Sequence, residues 1–310
     1  MSLRALVVAA GLLLAATAAS AGPPALRLVD DAGHEVALPR PARRIVALAP
    51  HLTELVYAAG AGGQLVAVGK FSDFPPEAKA RPVISDAFAV NYEALTQLKP
   101  DLVLVWGSGT SDRTKSKLRS LGVPVYEIEI HSVAGLADTL RGIGRLAGTE
   151  NVGQARAQAI LDDWAALKAT YAGRTPVRVF YELRDAPLMT LGDQHLISSA
   201  ISACGGRNVF GELSTLTATV SWEAAVQRDP ELVVTAGAPG EPAKPGRWAE
   251  FAQVSATRHG EFANIEGDLI SRSGPRFVDG ARELCLAIAH ARQGLPPPVF
   301  PAAKAASATH

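Results

Sequence analysis

An excess of charge of either sign is absent from this sequence: 30 lysines and arginines face 30 aspartates and glutamates. With no net basic field, nothing attracts a polyphosphate backbone, and nucleic acid is excluded as a partner. Long apolar runs are missing too once the first residues are passed, so no later stretch reaches the length a bilayer-spanning helix needs. The histidines, at 34, 51, 131, 195, 259, 290 and 310, are scattered and form no histidine-rich loop. A zinc or manganese site needs clustered histidines and carboxylates, which argues against a bare metal ion as ligand. A nucleophile elbow is also lacking. Gly107-Ser108-Gly109 follows an apolar strand without the G-x-S-x-G spacing. Gly60 to Gly63 follows a helix and precedes a strand, the wrong order for a phosphate loop, and reads as a helix C-cap plus turn. An exported α/β hydrolase, the rival reading, thus has no nucleophile–base constellation, and no enzymatic activity is expected.

Cysteine is scarce, with Cys204 and Cys285 alone in the chain. Their setting is decided by the N-terminus. Arg4 supplies a short positive region, Ala5 to Ala16 is a run of small and apolar residues, and Ala19-Ser20-Ala21 fits a small-x-small cleavage rule. That is the pattern of a secretory signal peptide over residues 1–21. No cysteine follows it to carry a lipid. Cleavage near Ala21 leaves a protein expected to be soluble outside the cytoplasm, where disulfides persist. The two cysteines are 81 residues apart, and pairing would be worth about 4 kcal/mol; two buried free thiols are the alternative. At the other end, residues 294–310 are Pro- and Ala-rich without periodicity and read as a disordered tail.

What the sequence does have is alternation. Strand-like Arg44–Ala49, Leu65–Gly69, Leu102–Trp106 and Val123–Ile128 are separated by helix-like Leu52–Ala59, Tyr92–Leu98, a segment capped by Ser111 and another capped by Ser132. Such a rhythm predicts a parallel sheet with crossover helices. Asn151 to Tyr171 then reads as one long helix, after which the alternation resumes at Val177–Glu182. The predicted fold is α/β: an N-terminal lobe over 22–148, a single backbone helix over 149–172, and a C-terminal lobe over 173–293. Each lobe has a central parallel sheet. An internal repeat supports two related lobes. Tyr92-Glu93-Ala94, Gln97 and Pro100-Asp101-Leu102-Val103 recur as Trp222-Glu223-Ala224, Gln227 and Pro230-Glu231-Leu232-Val233 at a constant offset.

The order RIVALAPHLTEL, SDFPPEA, LTQLKPDLVLVWG, CGGRNVF, VSWEAAV and GPRFVDGARELC resembles the cobalamin-binding periplasmic proteins of ABC importers. These belong to a class of binding proteins with a helical backbone that also serves haem and iron–siderophores. The resemblance implies two lobes with little hinge motion, a ligand cleft between them, and a Cys204–Cys285 disulfide. It also implies that Glu93 and Glu223 dock into arginine pockets of a membrane permease. A monomer can satisfy a two-fold symmetric permease only with two similar patches, and the repeat supplies them.

For the ligand, the resemblance implies an aromatic-lined cleft holding cobalamin or a related corrinoid, with haem or a ferric siderophore as the alternative. No resident cofactor is implied. Phe71 stands where a tyrosine is usual, and Trp106 keeps a tryptophan at its strand's C-terminal end. Phe88 lies beside Ala87, which replaces a tryptophan. Leu183 and Met189 replace phenylalanines and Thr217 a further tryptophan. Strand alternation puts Tyr181 on the same side as Leu183, as a substitute ring. Asp268 matches a polar position that hydrogen-bonds the ligand. His51 is expected to cap the helix after the first strand, or else to touch the ligand.

Overall fold

A computed structural model describes residues 26–294 together with Pro298 and Phe300. The signal segment and most of the tail lie outside these. Leu26–Val29 (β1) and Glu35–Leu38 (β2) form an antiparallel hairpin. The N-terminal lobe then runs Ile45–Ala47 (β3), Pro50–Ala58 (α1), Leu65–Gly69 (β4), Val83–Ser85 (β5), Tyr92–Leu98 (α2), Leu102–Trp106 (β6), Asp112–Ser120 (α3), Val125–Ile128 (β7) and Val133–Ala147 (α4). Its five-stranded sheet has the order β5-β4-β3-β6-β7, parallel throughout. β6 shows why: Leu102 to Val105 are buried on both faces, as a doubly covered strand requires.

Glu150–Tyr171 (α5) is the backbone helix, 22 residues and about 33 Å long. It lies so close to α4 that a Cβ on Gly153 would sit 2.6 Å from the Leu140 carbonyl oxygen. The C-terminal lobe continues with Val177–Tyr181 (β8), Arg184–Asp185 (β9), Leu188–Leu191 (β10), Leu196–Ala203 (α6), Gly206–Asn208 (β11), Thr217–Thr219 (β12), Trp222–Gln227 (α7), Leu232–Gly237 (β13), Ser255–His259 (α8), Phe262–Glu266 (β14), Gly267–Ile270 (α9) and Phe277–Gln293 (α10). β11-β8-β13-β14 form a second parallel sheet. β12-β10-β9 form a small antiparallel sheet that hydrophobic patterning did not reveal.

The repeat extends to hydrogen bonds. Asn91 and Ser221 cap α2 and α7, accepting from the amides of Ala94 and Ala224 at 3.0 and 3.1 Å. Lys99 and Asp229 both take left-handed backbone (φ 44°) at the turn into the next strand. Asp101 accepts the amide of Arg44 at 2.9 Å, and Glu231 that of Arg178 at 2.8 Å. From the cap through the fifth residue the two copies share one pattern of exposure, leaving Glu93 and Glu223 exposed and burying Leu95 and Ala225.

Cys204, after α6, is disulfide-bonded to Cys285 in α10. Replacing both with alanine should cost about 4 kcal/mol by the loop-entropy estimate, read as a lowered urea midpoint. One expectation needs correction. The first helix begins at Pro50, which suits a helix's first position, so His51 lies inside the helix and does not cap it. At the described end of the chain, Phe300 is buried in the main core.

Candidate functional site

The loops that leave the C-terminal ends of the N-terminal lobe's strands enclose a cavity of about 380 Å³. β3 supplies Ala49 and Pro50, β4 Lys70 and Phe71, β5 the stretch Ser85–Val90, and β6 Trp106. Strand ends of parallel sheets gather side chains in this way because the crossover helices cover the faces. Three of the residues singled out in the sequence, Phe71, Phe88 and Trp106, meet here, and all are large apolar side chains left bare: 68%, 94% and 41% exposed. Bare rings clustered in a concavity are the kind of surface that ligands cover, since apolar area is otherwise driven inward.

Each ring is held. Phe71 has a left-handed backbone (φ 68°), uncommon for a bulky residue, and the Lys70 ammonium sits 5.1 Å from its ring centroid. The Phe88 loop is fixed by Asp86, whose carboxylate accepts the amides of Phe88 and Ala89 at 2.8 and 2.9 Å. Those hydrogen bonds also pull the Asp86 pKa down. Trp106 donates its indole N–H to Glu129 at 3.4 Å and meets the edge of His51, ring centroids 5.3 Å apart. A Cβ on Gly109 would fall 1.9 Å from the Trp106 ring, so only glycine lets the indole fold back over it, while a Cβ on Gly107 would fall 2.8 Å from the Glu129 carboxylate. Close packing thus accounts for both glycines.

His51 is 7% exposed, and its pKa is pushed down to about 4, by burial first and by the charge of Arg272 second. His195, which caps α6, is lowered to about 4 by burial and by His131, against the opposing pull of Glu129. The unfolded chain therefore takes up these protons first as pH falls below 6.5. Stability is complete above that value and is lost on the way down to about 4. For His51 alone the loss is roughly 3 kcal/mol. Urea midpoints measured across that window should fall, and His51→Gln should flatten the slope.

The C-terminal lobe contributes differently from expectation. Tyr181 is fully buried, because β8 is an interior strand covered on both faces; it belongs to the core and not to the cleft wall. Burial raises its phenol pKa. Met189 lies half-buried on β10, touched by the Arg184 guanidinium at 3.0 Å, and does not line the cavity. Leu183, just past β8, is 38% exposed. Asp268, in α9, is exposed and pairs with Arg272 at 2.9 Å. Arg272 in turn reaches Asp73 at 3.0 Å and the Phe71 carbonyl at 3.4 Å, joining the polar residue of one lobe to the aromatic loop of the other.

Sequence reasoning missed Glu54, Arg272, Arg276 and Glu129. The signals were there: a glutamate in the otherwise apolar face of HLTEL, and two arginines spaced i, i+4 in RSGPR. Among the described residues one group has metal-ligating atoms within 4.8 Å of one another, Asp30, His34 and Glu127. Glu127 is already neutralised by Lys115 at 2.8 Å and Arg119 at 3.2 Å.

Two related α/β lobes, a helix joining them and an aromatic-walled cavity at the strand ends define a solute-binding protein of the helical-backbone class. The chain belongs to the periplasmic binding protein family, whose model matches residues 45–268. It is 33% identical over 251 residues to the vitamin B12-binding protein of Vibrio cholerae, covering 81% of this chain and 90% of that one. It is 34% identical over 248 residues to the vitamin B12-binding protein of Salmonella typhimurium, covering 80% and 90% respectively. The crystal structure of the periplasmic vitamin B12 binding protein of Vibrio cholerae superposes with a TM-score of 0.74 at 32% identity, over 82% of this chain and 99% of that one. No helix among the described residues is long and apolar enough to cross a membrane.

Proposed function

We propose that this chain is a periplasmic, non-enzymatic binding protein that captures cobalamin or a related corrinoid and delivers it to an ABC-type importer. The observation that carries the reading is the cavity walled by Phe71, Phe88 and Trp106. A flat macrocycle needs broad ring contact and few polar anchors, and bare rings on a fixed wall offer that contact. The vitamin B12-binding relatives, 33% and 34% identical over most of their length, support the same ligand class.

The cavity is smaller than such a ligand, so the macrocycle extends out of it toward the second lobe. There Leu183, Met189 and Asp268 supply apolar contact and a hydrogen-bonding group. Glu93 and Glu223, exposed at equivalent positions of the two lobes, are the permease contacts, and the docking protein is a monomer. Export follows from the segment before Gly22, with cleavage near Ala21. As a test, mature protein mixed with cyanocobalamin and desalted should carry the red chromophore at one per chain. A colourless protein peak would remove the corrinoid from this reading.

A further inference from the structure

The floor of the cleft is cross-linked by charge. Glu54, in α1 of the first lobe, is 2% exposed as a side chain, yet it receives three charge-assisted hydrogen bonds from the second lobe. Arg272 donates to it at 3.0 Å, and the fork of Arg276 grips it at 2.9 and 2.7 Å. Arg272 continues to Asp73 at 3.0 Å, and the Arg276 guanidinium lies over the Phe74 ring, 3.9 Å from its centroid. Every acceptor in this set comes from α1 or the loop after β4. Both donors come from the segment between α9 and the start of α10.

Such an arrangement does more than add an ion pair. A bidentate arginine fork fixes distance and angle together, where a lysine would fix distance alone. Separating the lobes would strand a buried carboxylate and two largely buried guanidiniums, whose side chains are 14% and 15% exposed. Stranding buried charge costs far more than an exposed pair gains, so the clasp resists opening strongly. The backbone helix α5 ties the lobes covalently; the clasp ties α1 to the base of α10. Two ties restrain a relative rotation that one alone permits. The same arginine also holds Asp268 and the carbonyl of Phe71, whose left-handed backbone persists only where neighbours fix it.

We propose that Glu54 is a cross-lobe positioning residue: its carboxylate, shared by Arg272 and Arg276, sets the width of the cleft and the place of the Phe71 loop before any ligand arrives. The part concerning ligand rests on the reading of the cleft as a corrinoid site; the part concerning lobe spacing does not. With the cleft preformed, ordering of the two walls is no longer charged against binding. Removal of the strut therefore slows capture and weakens it.

The test reads lobe spacing without ligand. Spin labels are placed at Ser120→Cys and Ala252→Cys, exposed positions on opposite lobes, with the native disulfide left intact. Pulsed electron–electron double resonance should give a narrow distance distribution in the otherwise wild-type chain and a broad one in Glu54→Gln. Cyanocobalamin affinity should fall about tenfold while far-ultraviolet circular dichroism is unchanged. Arg276→Lys, keeping charge without the fork, should broaden the distribution to an intermediate degree. Should Glu54→Gln fail to fold, Asp73→Ala removes a half-exposed acceptor of the same network and should broaden it as well. A distribution as narrow in the folded variants as in the wild type overturns the strut. Broadening in a protein that binds no cyanocobalamin upholds the strut and removes the corrinoid reading.

Discussion

Replacing Glu93 and Glu223 together with alanine should leave ligand affinity intact and abolish delivery to the permease. Both side chains are exposed, so neither supports the core. Each helix keeps its cap, since Asn91 and Ser221 make those hydrogen bonds. The Glu223 carboxyl has its pKa lowered by its own backbone amide and by the Ser221 hydroxyl, and it stays ionised at neutral pH. In water an exposed ion pair is worth under about 1 kcal/mol. Docked against an arginine and stripped of water, the same carboxylate becomes a group whose truncation costs about 2–5 kcal/mol. The two patches lie on different lobes, so their losses add, and together they reach a factor of about 10³ or more. Uptake of labelled cobalamin by cells or proteoliposomes carrying the permease is the measurement, with each single variant intermediate. Normal uptake by the double variant would refute the docking assignment.

Trp106→Ala should weaken ligand binding at least tenfold, which is about 1.4 kcal/mol. The indole is the ring most firmly set in the cavity, braced by Glu129, His51 and the space that Gly109 leaves for it. Aromatic contact contributes about 0.5–1.5 kcal/mol beyond simple burial, and truncation also removes the buried area itself. Because the side chain is 41% exposed, the fold should tolerate the change. Quenching of intrinsic fluorescence is unsuitable once this tryptophan is gone, so affinity is read by calorimetry. An unchanged affinity removes Trp106 from the site.

The parts of this fold governed by local chemistry were legible before any coordinates. β4, α2 and β6 begin and end where the sequence places them, because Gly69, Asn91, Lys99-Pro100 and an unbroken apolar run mark their limits. The repeat around Glu93 and Glu223 was equally plain, since a Pro after a left-handed turn residue is a local signal. Long-range chemistry was not. Glu54 and Arg276 are 222 residues apart, and nothing in either neighbourhood announces the other. Tyr181 was misplaced for a related reason: alternation along a strand says which residues share a face, but not whether that face meets the cleft or the core. The antiparallel trio β12-β10-β9 escaped because its strands are two to four residues long, too short for a period to show.

Three bare rings wall the cavity of the first lobe, and from the second lobe Arg272 reaches the Phe71 carbonyl beside them. Calorimetric titration of the mature protein with cyanocobalamin, haemin and a ferric siderophore tests the account most directly. It predicts one cyanocobalamin bound per chain, more tightly than either competitor. Binding of haemin or the siderophore with none of cyanocobalamin, or of none of the three, would contradict it.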